Sequence, residues 1–394
     1  MAALGTYKIL ELAESPCGEY CGKLLADFGA DIIKIERPGL GSPTRAIGPF
    51  GGGERDSEKS GLFAYLNTNK SSVALDLSTD AGVRTLAGLL DHVDIVIDDH
   101  PDGWLKSVGL DPTTFQDRWP SLVLCSITAY GQNPPDDRRH AEDLTVYHSS
   151  GWGYHTPGGG YDELPPLKGP GRFLVSYEAG MEAAMYVVSA LYEREESAKG
   201  QFIDVSKHEV MASRSDYVLA QFVAGEMNVR EGRDAYDLFG PAGIFPCKDG
   251  FIYVWMATVQ NWQAYQQLLG NPQWAKEFPE RWLELELTPE RVAKVRHHLC
   301  EWLATKGKDE AAEEAQKLGL TLVAVNYPKD IVQSPQYIHR GYFAEVTHPV
   351  LGKALYPTVP YKLSETPARI SSPAPLLGEH TAQRLAATDG GDGE

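Results

Sequence analysis

The chain has 394 residues, of which 42% are apolar and 23% charged, and its formal net charge is −18. This length and apolar content allow a large core divided between two or three lobes. The acidic balance argues against nucleic acid or an anionic membrane surface as a general partner, because both require a basic footprint.

Several features favour a cytoplasmic protein without a membrane segment. No stretch approaches 18 continuous apolar residues, and MAALGTYKILEL lacks the charged and long apolar regions of a signal peptide. The five cysteines are an odd number scattered along the chain. This pattern fits a reducing compartment better than a disulfide framework.

Short apolar runs alternate with helical patterns through the N-terminal part of the chain. The strand-like runs are 8–12, 30–36, 73–77, 94–98 and 122–128. Their alternation with helical stretches predicts βαβ units and a largely parallel, Rossmann-like sheet, so the fold class is α/β. Ser15 and Pro16 predict the N-cap and first residue of the first helix, whose N–H groups could hold a phosphate or a carbonyl oxygen.

Changes in composition predict the domain organisation. Between 215 and 320 the chain is rich in Trp, Gln and Glu with helical periodicity, and it then becomes strand- and Pro-rich again. We predict a large α/β domain from 1–210 and 325–387 and a smaller, mainly helical domain from 215–320. The final residues, 388–394, carry no packing signal and are predicted to be a disordered tail.

Six segments of the chain, in order, resemble the class III CoA-transferases, the family of formyl-CoA transferase, crotonobetainyl-CoA transferase and 2-methylacyl-CoA racemase. They are GEYCGKLLADFGADIIKIERPGLGSPTR, LNTNKSSVALDL, SITAYGQNPPDDRRHAEDL, KGQFIDVS, HPVLG and PAPLLGEHT. The resemblance implies that both termini build the large domain and that two subunits interlock, either as a homodimer or as a heteromer of homologous chains. It also implies acyl-CoA and a carboxylic acid as substrates, with no metal and no permanently bound cofactor.

The resemblance also implies a set of residues for binding coenzyme A. Arg37 matches a CoA-contacting arginine, and a guanidinium suits bidentate bonding to phosphate. The turn at Asp99 and His100 replaces a more basic family turn, so its carboxylates are expected to weaken CoA binding. The other positions matched to the family's CoA and thioester sites are Pro16, Asn69, Lys70 and Arg139.

The residue at the family's catalytic position is a serine. By resemblance, a nucleophilic aspartate stands four residues before Gly180, and this place holds Ser176. The family's Asp forms a mixed anhydride with the acyl group and then an aspartyl-CoA thioester. A serine would form only an ordinary ester and could not form a CoA thioester. We therefore predict that Ser176 is inactive as a nucleophile and acts as the N-cap of the following helix.

Three carboxylates near this position are candidates for catalysis. Glu178 is the nearest in sequence, but it lies two residues along a helix and so points about 200° away from position 176. Glu142 and Asp143 match the racemase branch's His-Asp pair and could perform acid/base work.

These features leave three hypotheses for function. The first is a CoA-transferase subunit that lacks its own nucleophile and works with a homologous, Asp-bearing subunit. The second is an autonomous acyl-CoA lyase, dehydratase or epimerase that uses noncovalent acid/base chemistry. The third is a non-catalytic acyl-CoA-binding protein. It stays open because one fold can host several functions.

Overall fold

The computed structural model describes residues 2–135, 141–155, 169, 171–214, 223–225 and 240–389. The chain divides into two compact units, each made of discontinuous stretches. The first comprises Met1–Trp152, Lys168–Gly225 and Gln336–Glu394, and the second comprises Gly153–Leu167 and Glu226–Pro335. Within the described ranges, no helix combines the length and apolar character needed to cross a bilayer.

The first unit is built on a six-stranded sheet, and the sequence correctly predicts that the sheet is parallel. Its strands are β1 (Lys8–Glu11), β2 (Asp31–Glu36), β3 (Lys70–Ala74), β4 (Ile95–Asp98), β5 (Val123–Thr128) and β6 (Phe202–Ser206). Their spatial order is β3-β2-β1-β4-β5-β6, and every neighbouring pair is parallel. This is the doubly wound order, in which ligands bind beyond the carboxyl ends of the strands.

Helices cover both faces of this sheet. The helices described between Pro16 and Ser213 are α1 (Pro16–Asp27), α2 (Gly61–Leu66), α3 (Asp80–Leu90), α4 (Trp104–Ser107), α5 (Asp143–Ser149), α6 (Trp152–His155), α7 (Leu174–Ser197) and α8 (Lys207–Ser213). Ile9 and Ile97 pack in one core cluster with α1 and α7, whereas Leu10 and Val96 pack in another with α3 and α4. Alternate strand residues therefore enter opposite cores, as the pleat of a strand requires.

The second unit contains a small antiparallel sheet together with the predicted helices. Strands β7 (Gly243–Cys247), β8 (Gly250–Trp255) and β9 (Thr321–Ala324) lie in that order. The helices are α9 (Val259–Leu268), α10 (Trp282–Leu285), α11 (Pro289–Leu303), α12 (Lys308–Lys317) and α13 (Pro328–Gln333). Trp262, Tyr265 and Trp282 are buried at the centre of its core. The unit is thus helical for the most part, but its sheet was not predicted from the sequence.

The chain then returns to the first unit. After α14 (Pro335–Arg340), β10 (Phe343–His348) and β11 (Gly352–Pro357) form an antiparallel hairpin, and α15 spans Thr381–Asp389. Arg384 on α15 pairs with both carboxylate oxygens of Asp31 on β2, at 2.8 and 2.5 Å. Stretches from both ends of the chain thus belong to the first unit. The predicted disordered tail begins two residues too early, since α15 includes 388 and 389; residues 390–394 lie outside the described ranges.

Candidate active site

A cavity of about 780 Å³ lies at the carboxyl edge of the parallel sheet. It is lined by residues that follow β1, β4, β5 and β6 and by the starts of α1, α5, α7 and α8, including Glu14, Ser15, Pro16, Asp99, His100, Glu142, Asp143, Arg172, Ser176 and Lys207. Ligands bind at this edge in open parallel sheets. Six of the residues predicted from sequence meet here: Pro16, Asp99, His100, Glu142, Asp143 and Ser176.

Ser176 lies in the first turn of α7 and is 1% exposed. Its N–H donates to Oδ2 of Asp143 at 2.9 Å, and its Oγ donates to Oδ1 of the same carboxylate at 2.9 Å. The prediction that Ser176 is the N-cap is wrong, because α7 begins at Leu174 and its N-cap is Phe173, which makes no side-chain capping bond. A carboxylate from α5 caps the helix instead, where the unpaired N–H groups and the helix dipole favour negative charge.

Lys207, which is not among the residues predicted from the sequence, brings a cation to this pair. Its Nζ lies 3.4 Å from Oγ of Ser176 and 3.5 Å from Oδ1 of Asp143. Burial lowers the pKa of Lys207, but electrostatic interactions with Cys17, Asp143 and Asp99 raise it by more, so its pKa lies above the ordinary value. Lys207 is therefore an ammonium at neutral pH. A lysine placed directly after the strand FIDVS was the signal that could have identified it.

The Asp99 carboxylate is hydrogen-bonded to the start of α1. It accepts hydrogen bonds from the N–H groups of Glu14, Ser15 and Gly18 at 2.8–3.1 Å, and from Oγ of Ser15 at 2.5 Å. Four donors and the helix dipole offset its negative charge. The sequence predicts the N–H groups at the start of α1 as a ligand site, but some of them are hydrogen-bonded to Asp99.

His100 is held between two acids. Its Nδ1 lies 2.8 Å from Oδ1 of Asp98, its Nε2 lies 3.4 Å from Oε2 of Glu14, and its ring stacks on Trp104 with 3.5 Å between centroids. Burial lowers the pKa of His100, but hydrogen bonds to Asp98 and Glu14 raise it to about 9 overall. His100 therefore adds positive charge to the turn at neutral pH.

Arg37 pairs with Glu14 and does not line the cavity itself. Its Nε donates to Oε1 of Glu14 at 2.7 Å, and its Nη2 donates to Oε2. Burial raises the pKa of Glu14, but His100 and Arg37 lower it to about 2. The Arg37 side chain is 56% exposed, so the guanidinium retains a solvent-facing part while its fork is bonded.

Asn69 and Lys70 support the fold beside the site. Nζ of Lys70 forms an ion pair with Oε2 of Glu11 at 2.7 Å and donates to the carbonyl of Glu19 at 2.7 Å, all in the buried interior. Asn69 Oδ1 accepts from the backbone N–H groups of Ser371 and Ser372. Neither residue lines the cavity, and both side chains are engaged in joining parts of the first unit.

The remaining candidates differ in position. Glu142 is the N-cap of α5 and lines the cavity, without a side-chain capping bond. Glu178 accepts a hydrogen bond from Nε of Arg214 at 3.1 Å and is not among the residues that line the cavity. Arg139 lies outside the described residues.

Comparison with known proteins identifies the family. The model of CoA-transferase family III matches residues 4–381. Human succinyl-CoA:glutarate CoA-transferase is 28% identical over 96% of this chain and 84% of its own length. The succinyl-CoA–L-malate CoA-transferase alpha subunit of Chloroflexus aurantiacus is 26% identical over 97% of this chain and 88% of its own.

Solved structures agree with this assignment. A CAIB/BAIF family protein from Brucella suis superposes with a TM-score of 0.84 at 26% identity, covering 98% of this chain and 100% of that one. Sequence and fold thus match over almost the whole length, and the relatives are named as transferases that act on CoA thioesters. This chain therefore belongs to CoA-transferase family III and is a CoA-transferase of that family.

Proposed function

We propose that this chain takes part in moving CoA between two carboxylic acids as a subunit without its own nucleophile, beside a homologous subunit that carries an aspartate at the matching position. One observation carries the proposal: Ser176, which stands where the resemblance implies the nucleophilic Asp, is hydrogen-bonded through both its N–H and its Oγ to Asp143.

Serine chemistry cannot replace the missing carboxylate in CoA transfer. An acylated carboxylate is an anhydride, which retains the energy to acylate a thiol, whereas an acylated Ser176 would be an ester of lower transfer potential. A loss of about 1.4 kcal/mol slows a step tenfold. The CoA-bound intermediate of the covalent route, an acyl thioester of the enzyme, has no equivalent on a hydroxyl.

Asp143 is the carboxylate nearest to Ser176, but its contacts favour a structural role. Oδ2 accepts the Ser176 N–H, and Oδ1 is shared by the Ser176 hydroxyl and the Lys207 ammonium. Donors on both oxygens reduce the electron density available for attack on a thioester. The carboxylate is also needed where it lies, because it caps the first turn of α7.

An exposed apolar face of α7 supports association with a second chain. Met181, Met185, Val188 and Tyr192 follow one another at spacings of four, three and four residues, which places them in a row on the helix. Their exposures range from 42% to 77%. We propose that this α7 row packs against a homologous chain, and the name of the Chloroflexus relative, an alpha subunit, supports a heteromer.

The reducing setting expected from the sequence fits the thiols. All five cysteines are free, and Cys17, Cys21 and Cys125 are buried. Burial raises the pKa of Cys17 to about 12, so this thiol is neutral and unreactive beside the cavity. We therefore propose a cytoplasmic enzyme that uses CoA thioesters as substrates.

The proposal is tested by measuring CoA transfer with and without a partner. The chain is purified alone and after co-expression with a family III homologue from the same genome that has Asp at the matching position. Transfer of CoA from succinyl-CoA to a panel of carboxylic acids is then followed by chromatography. We expect transfer only from the co-expressed complex, and at least about 10²-fold less from the same complex with the partner's aspartate changed to Ala. Full turnover by this chain alone would refute the proposal, and CoA binding without transfer in any combination would favour the non-catalytic hypothesis.

A further inference from the structure

Lys207 is a buried cation with bonding capacity that its observed partners do not exhaust. Its side chain is 11% exposed, and its two oxygen partners, Asp143 and Ser176, lie at 3.5 and 3.4 Å. Charge-assisted hydrogen bonds between an ammonium and a carboxylate are usually about 2.7–2.9 Å long. An ammonium has three donors, so an oxygen ligand in the cavity could form a shorter bond with Lys207 than either partner does.

The start of α7 adds further donors in the same part of the cavity. Leu174 and Val175 line the cavity in the first turn, next to Ser176. Among the described residues, no acceptor is bonded to their N–H groups, and the N-cap provides no side-chain bond. N–H groups without an acceptor among the described residues, at the positive end of a 24-residue helix, favour an anion.

Arg172 supplies a second cation beside them. It lines the cavity just before α7, and its guanidinium lies 5.0 Å from the ring centroid of Phe173. Within the part of the chain that the structure describes, no carboxylate pairs with it. Guanidinium groups match the planar geometry of a carboxylate, which they bind through two parallel hydrogen bonds.

Most of the negative charge around the cavity is already compensated. Asp99 is bonded to four donors of α1, and Glu14 lies between His100 and Arg37. Asp143 is hydrogen-bonded to Ser176 and lies near Lys207. Glu142 also lines the cavity, and its side chain does not cap α5. A serine at 176 adds no charge of its own, so an incoming anion would not meet a carboxylate at this position.

We propose that Lys207, Arg172 and the first N–H groups of α7 bind the carboxylate of a free carboxylic acid, noncovalently, beside Ser176. The ligand takes the place that the resemblance gives to the nucleophile's own carboxylate. The identity of the ligand as a substrate or product acid rests on the proposed function. The binding itself requires neither CoA nor a partner chain.

Isothermal titration calorimetry on the purified chain tests this site. Succinate and glutarate are the probes, at low ionic strength because salt screens charge interactions. Succinamide has nearly the same shape without charge, and inorganic phosphate is a competing anion. We expect saturable binding of both dicarboxylates, at least about tenfold weaker binding of succinamide, and a similar loss for Lys207→Met.

Three further variants separate a binding site from a folding effect. Lys207→Arg keeps the positive charge, so its affinity for succinate should stay within about threefold of the native value. Ser176→Asp places a carboxylate inside the site and should weaken dicarboxylate binding at least about tenfold while Lys207 remains. Lys199→Met removes an exposed lysine just beyond α7 and should leave the affinity unchanged.

Several results would overturn the site. One is the absence of saturable succinate binding to the native chain, and another is an unchanged succinate affinity in Lys207→Met. A third is tighter binding of phosphate than of succinate, which would assign the site to a phosphate of CoA. These outcomes are independent of the proposed function, which is tested separately by measuring CoA transfer with and without the partner chain.

Discussion

Ser176 Oγ lies 2.9 Å from the Asp143 carboxylate and 3.4 Å from the Lys207 ammonium. The chemistry at position 176 therefore depends on which side chain stands between these two charged groups. A carboxylate placed there would lie close to the Lys207 ammonium, which favours its ionised form, and to the Asp143 carboxylate, which opposes it. The cation that a nucleophilic carboxylate would need beside it is therefore present.

Ser176→Asp should give this chain covalent chemistry of its own. An aspartate can form both the acyl anhydride and the CoA thioester, so the purified variant should transfer CoA at least about 10²-fold faster than the native chain. The assay is CoA transfer from succinyl-CoA by the chain alone. Ser176→Asn, which has similar size without a nucleophilic carboxylate, is the control and should remain inactive. An inactive but folded Ser176→Asp variant that still binds CoA would show that more than the nucleophile has been lost.

His100 should link stability to pH. Its pKa is about 9 in the folded protein and 6.5 in the unfolded chain, because Asp98 and Glu14 stabilise its charged form. A raised pKa contributes stability that is fully present below pH 6.5 and is lost as the pH rises through 9. The contribution is about 3 kcal/mol at most.

Urea unfolding at pH 6, 8 and 10 measures this contribution. The difference in unfolding free energy between the native chain and His100→Gln should be largest at pH 6 and nearly vanish at pH 10. His92→Gln, at an exposed histidine, is the control and should show no such trend. A constant difference across the three pH values would contradict the assignment of charge to His100.

The strands and helices could be predicted where burial alone determines them, and could not be where distant partners decide. β1, β2, β4 and β5 follow apolar runs, and their predicted bounds are within one residue of the observed ones. β3 begins at Lys70, three residues before its predicted start, because Lys70 and Ser72 are buried with Glu11 and Glu36 from other strands. No local pattern reveals such partners.

The same reason explains what was missed in the site. The family resemblance placed Ser176, Asp143 and Asp99 near the cavity, and local spacing indicated that Glu178 points elsewhere. Three contacts of the site join residues that lie far apart in the sequence. They are the hydrogen bonds of Asp143 with the start of α7, those of Asp99 with the start of α1, and the contact of Lys207 with Ser176. They exist only once the parallel sheet has placed β4, β5 and β6 side by side.

The start of α1 should depend on Asp99. Asp99→Ala would leave four hydrogen-bond donors of Glu14, Ser15 and Gly18 without their acceptor, and we expect a loss of about 2–4 kcal/mol in unfolding free energy. Thermal and urea unfolding measure the change. Asp102→Ala removes a carboxylate from the same turn and should cost less than about 1 kcal/mol, as surface substitutions usually do. Equal losses for the two variants would contradict the capping role.

The assembly should depend on the α7 row. Met185→Glu puts a charge at the centre of the proposed interface, where burying it unpaired is costly, and should weaken association at least about tenfold. Light scattering coupled to size-exclusion chromatography measures the molar mass against protein concentration. Glu193→Lys, on the same helix outside the row, should assemble as the native chain does. An unchanged molar mass for Met185→Glu would place the contact elsewhere.

We propose that the covalent intermediate forms on a partner chain and not on this chain. Intact-protein mass spectrometry of the co-expressed complex, incubated with succinyl-CoA with and without hydroxylamine, measures this directly. We predict a hydroxylamine-sensitive mass increase on the Asp-bearing subunit and an unmodified mass for this chain, both alone and in the complex. A hydroxylamine-sensitive adduct on this chain would show that it has a nucleophile of its own and would refute the proposed function.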